Sequence, residues 1–147
     1  MRKYTLLDNP IVSFITFFFV VLSSIFLPVH FVSVLLIGIA YTIFAKSLEE
    51  ENYIQLGFMV LSFSFVELSQ GLQLFSLTLL CFFIYLIIAP LLKNALAAEK
   101  LVALIIVLIF YIGTLTVYNF SETISFDLVV VLIINYFIDI AILGLLL

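Results

Sequence analysis

Tryptophan is absent from the 147 residues, cysteine and histidine occur once each, and Lys and Arg together number only 5. Each scarcity closes off a class of function. A lone cysteine forms no intrachain disulfide and no cysteine-pair metal site, and Cys81, inside an apolar run, reads as a small core hydrophobe. A lone histidine at a turn, His30, reads as an interfacial side chain, and no two acids stand at a ligand spacing on one helix, so no metal centre is expected. So few cations make no basic patch for nucleic acid. With no Trp, any aromatic belt at a membrane interface falls to tyrosine, with Tyr4, Tyr53 and Tyr118 as candidates. A Gly-rich phosphate loop, a serine nucleophile elbow and a zinc-protease helix motif are also missing, and no internal repeat is visible. No enzymatic constellation and no cofactor site is expected.

Apolar residues are plentiful. They make up 67% of the chain and charged residues 10%, against about a quarter charged in soluble domains. A soluble fold of this size has too little interior for that much apolar surface, so the chain reads as an all-α, polytopic membrane helical bundle forming a single domain over residues 1–147.

Six membrane spans fit. The first is about Pro10–Val29, opened by Asp8-Asn9-Pro10, a capping residue followed by proline at the first helical position. Its bulky Phe14, Phe17, Phe18 and Phe19, with no small-residue cleavage site, mark it as a retained span and not a signal peptide. The others are about Phe31–Lys46, Tyr53–Gln70, Leu72–Leu92, Leu101–Tyr118 and Phe126–Leu147, with Ser47–Asn52, Asn94–Lys100 and Asn119–Ser125 as polar connections. Pro90 lies near the end of the fourth span, where a kink or stop costs little. With both termini in the cytoplasm, Arg2, Lys3, Lys46, Lys93 and Lys100 all fall on the cytoplasmic side, as the positive-inside rule requires.

The third and fourth spans make a hairpin around the polar joint Glu67-Leu68-Ser69-Gln70-Gly71, with the turn near Ser69–Gln73. Gly71 suits the helix end, because glycine takes the left-handed terminal conformation without steric cost. Ser64, Glu67 and Gln70, three apart, form one polar edge, and His30, Gln73, Asn119, Glu122 and Asp127 fall at the same outer level. That level reads either as a contact patch or shallow outward pocket, or as ordinary polarity at helix ends. Within the sixth span, Asn135 and Asp139 are four apart and share a face. An ionised carboxylate at mid-bilayer costs roughly 2.5–3.5 kcal/mol on insertion scales, so Asp139 must face protein or water, or be protonated. It is either a proton or ligand site or a polar clasp between helices. Ala141 and Gly144, three apart, offer a seam for close helix approach.

The stretch from Gly57-Phe58 through Glu67-Leu68-Ser69-Gln70-Gly71 to the span holding Tyr85 and ending at Lys93-Asn94 resembles the rod shape-determining membrane protein MreD family. Glu67 stands where that family usually has Asp. The resemblance implies a non-enzymatic scaffold of the cell-elongation machinery in the bacterial cytoplasmic (inner) membrane. Its expected partners are membrane lipid and a bitopic MreC-like protein, alongside the MreB filament and the RodA–PBP2 peptidoglycan synthase. Polar anchors for such a partner would be Glu67, Ser69, Gln70, Gly71, Asn135 and Asp139. The family is also similar in fold to the substrate-binding subunits of energy-coupling factor vitamin transporters. A small-solute binder with an outward pocket ringed by Glu67, Gln70, Gln73, Asn119 and Asp127 is therefore the rival expectation, and a proton-coupled role for Asp139 a third.

Overall fold

A chain this apolar must satisfy its main-chain amides within its own segments, which helices do and open strands do not. The computed structural model describes residues 9–26, 36–96, 98–121 and 126–146, and these are helical with no strand among them. The helices are α1 (Pro10–Phe26), α2 (Ile37–Glu49), α3 (Tyr53–Gln70), α4 (Ser76–Ala95), α5 (Glu99–Ser121) and α6 (Phe126–Leu146). Three of them, α4, α5 and α6, are long and apolar enough to cross a membrane, and α1 is a shorter apolar helix.

Helix α1 starts as its sequence demands. Pro10 occupies the first position and the Asn9 side chain accepts a hydrogen bond from the Ile11 amide at 3.0 Å. Its polarity is inverted relative to a water-soluble helix. Ser13, Thr16, Ser23 and Ser24 face the bundle, while Ile11, Phe14, Phe18 and Phe19 are exposed. The hydroxyls of Thr16, Ser23 and Ser24 donate to carbonyls one turn back within α1, so burial leaves them satisfied. Small polar residues on the packed face and large apolar ones outside are the arrangement a lipid solvent favours.

Helix α2 is the hub. It packs against every other helix, and Ile37, Ile39, Ala40, Tyr41, Ile43 and Phe44 are all buried. An aromatic spine runs through this core. Tyr41 stacks on Phe110 with ring centroids 5.0 Å apart, and Phe44 meets Phe63 and Phe82 edge-on. Cys81 is fully buried in the same core.

Helix α4 carries a π-turn over Ile84–Ile88, in which the Ala89 amide donates to the Ile84 carbonyl five residues back. Pro90 explains it. Proline has no amide to give and its ring crowds the carbonyl four residues earlier, so the wider turn just before it relieves that crowding without ending the helix.

Several boundaries differ from the sequence expectation, each for a physical reason. Helix α3 spans Tyr53–Gln70 as expected, and Gly71 takes φ +67°, the left-handed conformation its place at the joint requires. Helix α4 begins at Ser76, not at Leu72, because the Glu67 side chain holds the amides around Phe75. Helix α2 continues to Glu49, into the stretch expected to be aqueous, and Glu49 there pairs with Lys93 of α4. Helix α5 takes in Asn119, Phe120 and Ser121, which were expected to start an outer loop. Tyr118, a candidate for the interfacial belt, is buried, whereas Tyr53 is exposed. Tyr4, Asp8, His30 and Glu122 lie outside the described residues.

Candidate functional site

Helices α2 and α4 start without a cap of their own. Leu36 precedes α2 and Phe75 precedes α4, both at φ 68° and neither with a side chain that can accept from the first turn. The leading amides of a helix lack partners inside it and present a partial positive charge. In both cases a buried acid from another helix supplies the missing acceptor.

For α4 the acid is Glu67, fully buried in the last turns of α3. Its Oε2 accepts from the Phe75 amide at 2.7 Å and its Oε1 from the Leu77 amide at 2.6 Å, with the Ser76 hydroxyl at 3.4 Å. The Glu67 carbonyl also accepts from the Gly71 and Leu72 amides, closing α3 in the pattern that glycine makes possible. One residue thus ends one helix with its main chain and starts the next with its side chain.

For α2 the acid is Asp139 on α6. Its Oδ2 accepts from the Gly38 amide at 2.7 Å and from the Tyr111 hydroxyl of α5 at 2.6 Å. The carboxylate is 1% exposed and joins three helices at one atom. Gly38 is needed for the approach, since a Cβ there would stand 2.7 Å from Asp139 Oδ2 and 2.8 Å from Val107 Cγ1. Oδ1 has no hydrogen-bond partner among the described residues. Asn135, one turn earlier on α6, is equally buried, so the shared face expected from their spacing is the packed face.

The other expected anchors lie at the hairpin surface. Ser69 is exposed and returns its hydroxyl to the Val66 carbonyl at 2.9 Å, Gln70 is half-buried, and Gly71 is exposed. Gln73, Asn119 and Asp127 are exposed as well. Ala141 and Gly144 are exposed on α6, and a Cβ on Gly144 would meet nothing within 4 Å, so among the described residues no helix packs on this seam.

A cavity of about 600 Å³ opens at the opposite end of the bundle, where α2 and α4 finish and α5 begins. Lys46, Glu49, Lys93 and Glu99 stand at its mouth and Tyr41 and Tyr85 are among its walls. None of Glu67, Gln70, Gln73, Asn119 or Asp127 lines it. Sequence inspection missed this cavity, because its walls come from four helices and no local pattern marks them. The trans cap on α4 left a local trace, an acid eight residues before the amide it holds. The cap on α2 bridges 101 residues and left none.

Among the described residues no three of His, Cys, Asp and Glu gather closely enough to hold a metal ion. The arrangement at both acids is that of fixed acceptors for main-chain and phenolic donors, which orient helices. No family model, curated protein or solved structure matches this chain.

Proposed function

We propose that the protein is a membrane-embedded scaffold that binds a second membrane protein, of the kind its resemblance to the MreD family implies. In that reading it sits in a bacterial inner membrane as six spans with both termini in the cytoplasm. It helps organise lateral peptidoglycan synthesis through a bitopic MreC-like partner, with the MreB filament and the RodA–PBP2 synthase nearby.

The observation that carries the reading is the engagement of both buried acids. Glu67 and Asp139 hold helix starts inside the bundle, as expected of parts that shape a docking surface and not of reacting groups. The hairpin surface this creates presents Leu68, Ser69, Gly71, Leu74 and Phe75, mixed polar and apolar groups held in a defined turn. A partner helix in lipid associates by shape and by polar contacts at such places. The clustering of Lys46 and Lys93 at one cavity mouth, beside Glu99 and so next to Lys100, supports a common cytoplasmic side for these cations.

The test is capture. Tagged protein extracted in mild detergent should bring down a bitopic membrane protein of the elongation machinery, and substitutions at Leu68 or Phe75 should weaken that capture without unfolding the bundle. Repeated extraction that yields no such partner sinks the scaffold reading.

A further inference from the structure

The cavity at the cation-bearing end has features that the scaffold reading does not use. Tyr41 lines it, is almost fully buried, and its hydroxyl has no hydrogen-bond partner among the described residues. A buried hydroxyl is rarely left unmatched, and here the adjoining space is large enough for a ligand. The open volume arises because Ala45, Ala89 and Ala103 stand where larger side chains would close it. The remaining walls include the apolar Val102, Ile106 and Leu143. The mouth carries two cations and two acids, Lys46 and Lys93 with Glu49 and Glu99, and so has no net charge. Tyr41 lies five residues before Lys46 on the same helix, which puts it roughly 7–8 Å deeper along the axis.

We propose that this cavity binds a zwitterionic phospholipid with a primary-amine head. The layering matches such a molecule from outside inward. The ammonium meets Glu99 and the phosphate meets the lysines at the mouth. The Tyr41 hydroxyl donates to an ester carbonyl one level down, and the acyl chain follows the apolar wall. Glu49 is already answered by Lys93, so an anionic lipid would leave Glu99 facing its phosphate without compensation, and a soluble solute would not need the apolar depth.

Native mass spectrometry of the full-length protein in detergent tests this with three probes: dioleoyl phosphatidylethanolamine, dioleoyl phosphatidylglycerol and free phosphoethanolamine. The ethanolamine lipid should be retained in preference to the glycerol lipid, and free phosphoethanolamine should neither bind nor raise the unfolding temperature. Ala103→Phe, which fills the cavity, should abolish retention. Tyr41→Phe should weaken retention by about 3- to 10-fold, the value of one hydrogen bond, while leaving the unfolding temperature unchanged or higher. Equal retention of both lipids, protection by the free head group alone, or lipid binding indifferent to Tyr41→Phe would each overturn the proposal. If Ala103→Phe does not fold, Tyr41→Phe and the lipid comparison decide alone. Partner capture should survive Tyr41→Phe, so this assignment and the scaffold reading fail separately.

Discussion

Asp139 and Gly38 meet across the bundle with 2.7 Å between a carboxylate oxygen and a main-chain amide, and the contact exists only because Gly38 has no side chain. Gly38→Ala would drive a methyl into Asp139, Val107 and Tyr111 at once. Overpacking of this kind costs about 1–3 kcal/mol, so the variant should unfold at lower temperature in detergent. Gly57→Ala is the control. It lies on α3 with nothing within 4 Å of a built Cβ, and should be neutral or stabilising by about 0.5–1 kcal/mol, since alanine is the better helix former. Equal behaviour of the two variants would show that Asp139 does not approach α2.

Glu67 carries the start of α4, and its replacements should rank by how many acceptors they leave. Glu67→Ala strands the amides of Phe75 and Leu77, each worth about 1–3 kcal/mol when buried without a partner. Glu67→Gln keeps one acceptor but turns an NH₂ toward an amide, and should fall between alanine and wild type. Proteolysis between Gly71 and Ser76 would report the loosened joint, rising most for alanine. A Gln variant as damaged as Ala would mean that both carboxylate oxygens are needed.

Much of the architecture was legible from sequence where the signal is local. The Asn9–Pro10 start of α1 and the Gly71 end of α3 depend on residues within a few positions, and apolar runs mark the long helices. The start of α4 was not legible, because no residue between Leu72 and Ser76 forbids helix; the Glu67 side chain, folding back over the turn, selects Ser76. Nor were the partners of Asp139, which lie on two distant helices; the sequence allows a clasp there but cannot name Gly38 and Tyr111 as what it joins. Spacing put Asn135 and Asp139 on one face of α6 but not which helices that face meets. The place of Tyr118 at the end of an apolar run points to an interface, whereas its burial on the packed face of α5 is a property of its neighbours.

The pair Tyr111 and Asp139 is open to a double-mutant cycle. Tyr111→Phe removes one donor from Oδ2 and leaves the Gly38 amide in place. Asp139→Asn can retain an oxygen for both donors and puts an NH₂ where Oδ1 now lacks a partner. Each single change should cost about 1–3 kcal/mol. The cycle itself pairs Tyr111→Phe with Asp139→Ala, which takes the shared acceptor away, and because the two groups touch, those effects should deviate from additivity by about 0.5–3 kcal/mol. Strict additivity in thermal unfolding would show that the phenol and the carboxylate act independently. Asp139→Asn should leave partner capture intact, whereas loss of an energy-dependent activity with an intact bundle would favour proton coupling over a clasp.

The proposed topology makes a sharp demand on accessibility. The native thiol of Cys81 is fully buried, so the wild-type protein should be almost silent to a membrane-impermeant maleimide, and single cysteines added elsewhere report cleanly. Glu50, exposed after α2 beside the lysine-bearing end, and Asn119, exposed near the end of α5, lie at opposite ends of the bundle. With the cations in the cytoplasm, Asn119→Cys should label in intact cells stripped of their outer permeability barrier. Glu50→Cys should label only after the inner membrane is permeabilised. Five cations are a weak electrostatic vote taken one at a time, and the orientation depends on their acting together. Adding Lys at Asn119 and Asp127 while neutralising Lys46 and Lys93 should therefore shift the labelling pattern toward its mirror image. Labelling of Glu50→Cys from outside in the unaltered background would invert the bundle and move the lipid cavity to the other leaflet.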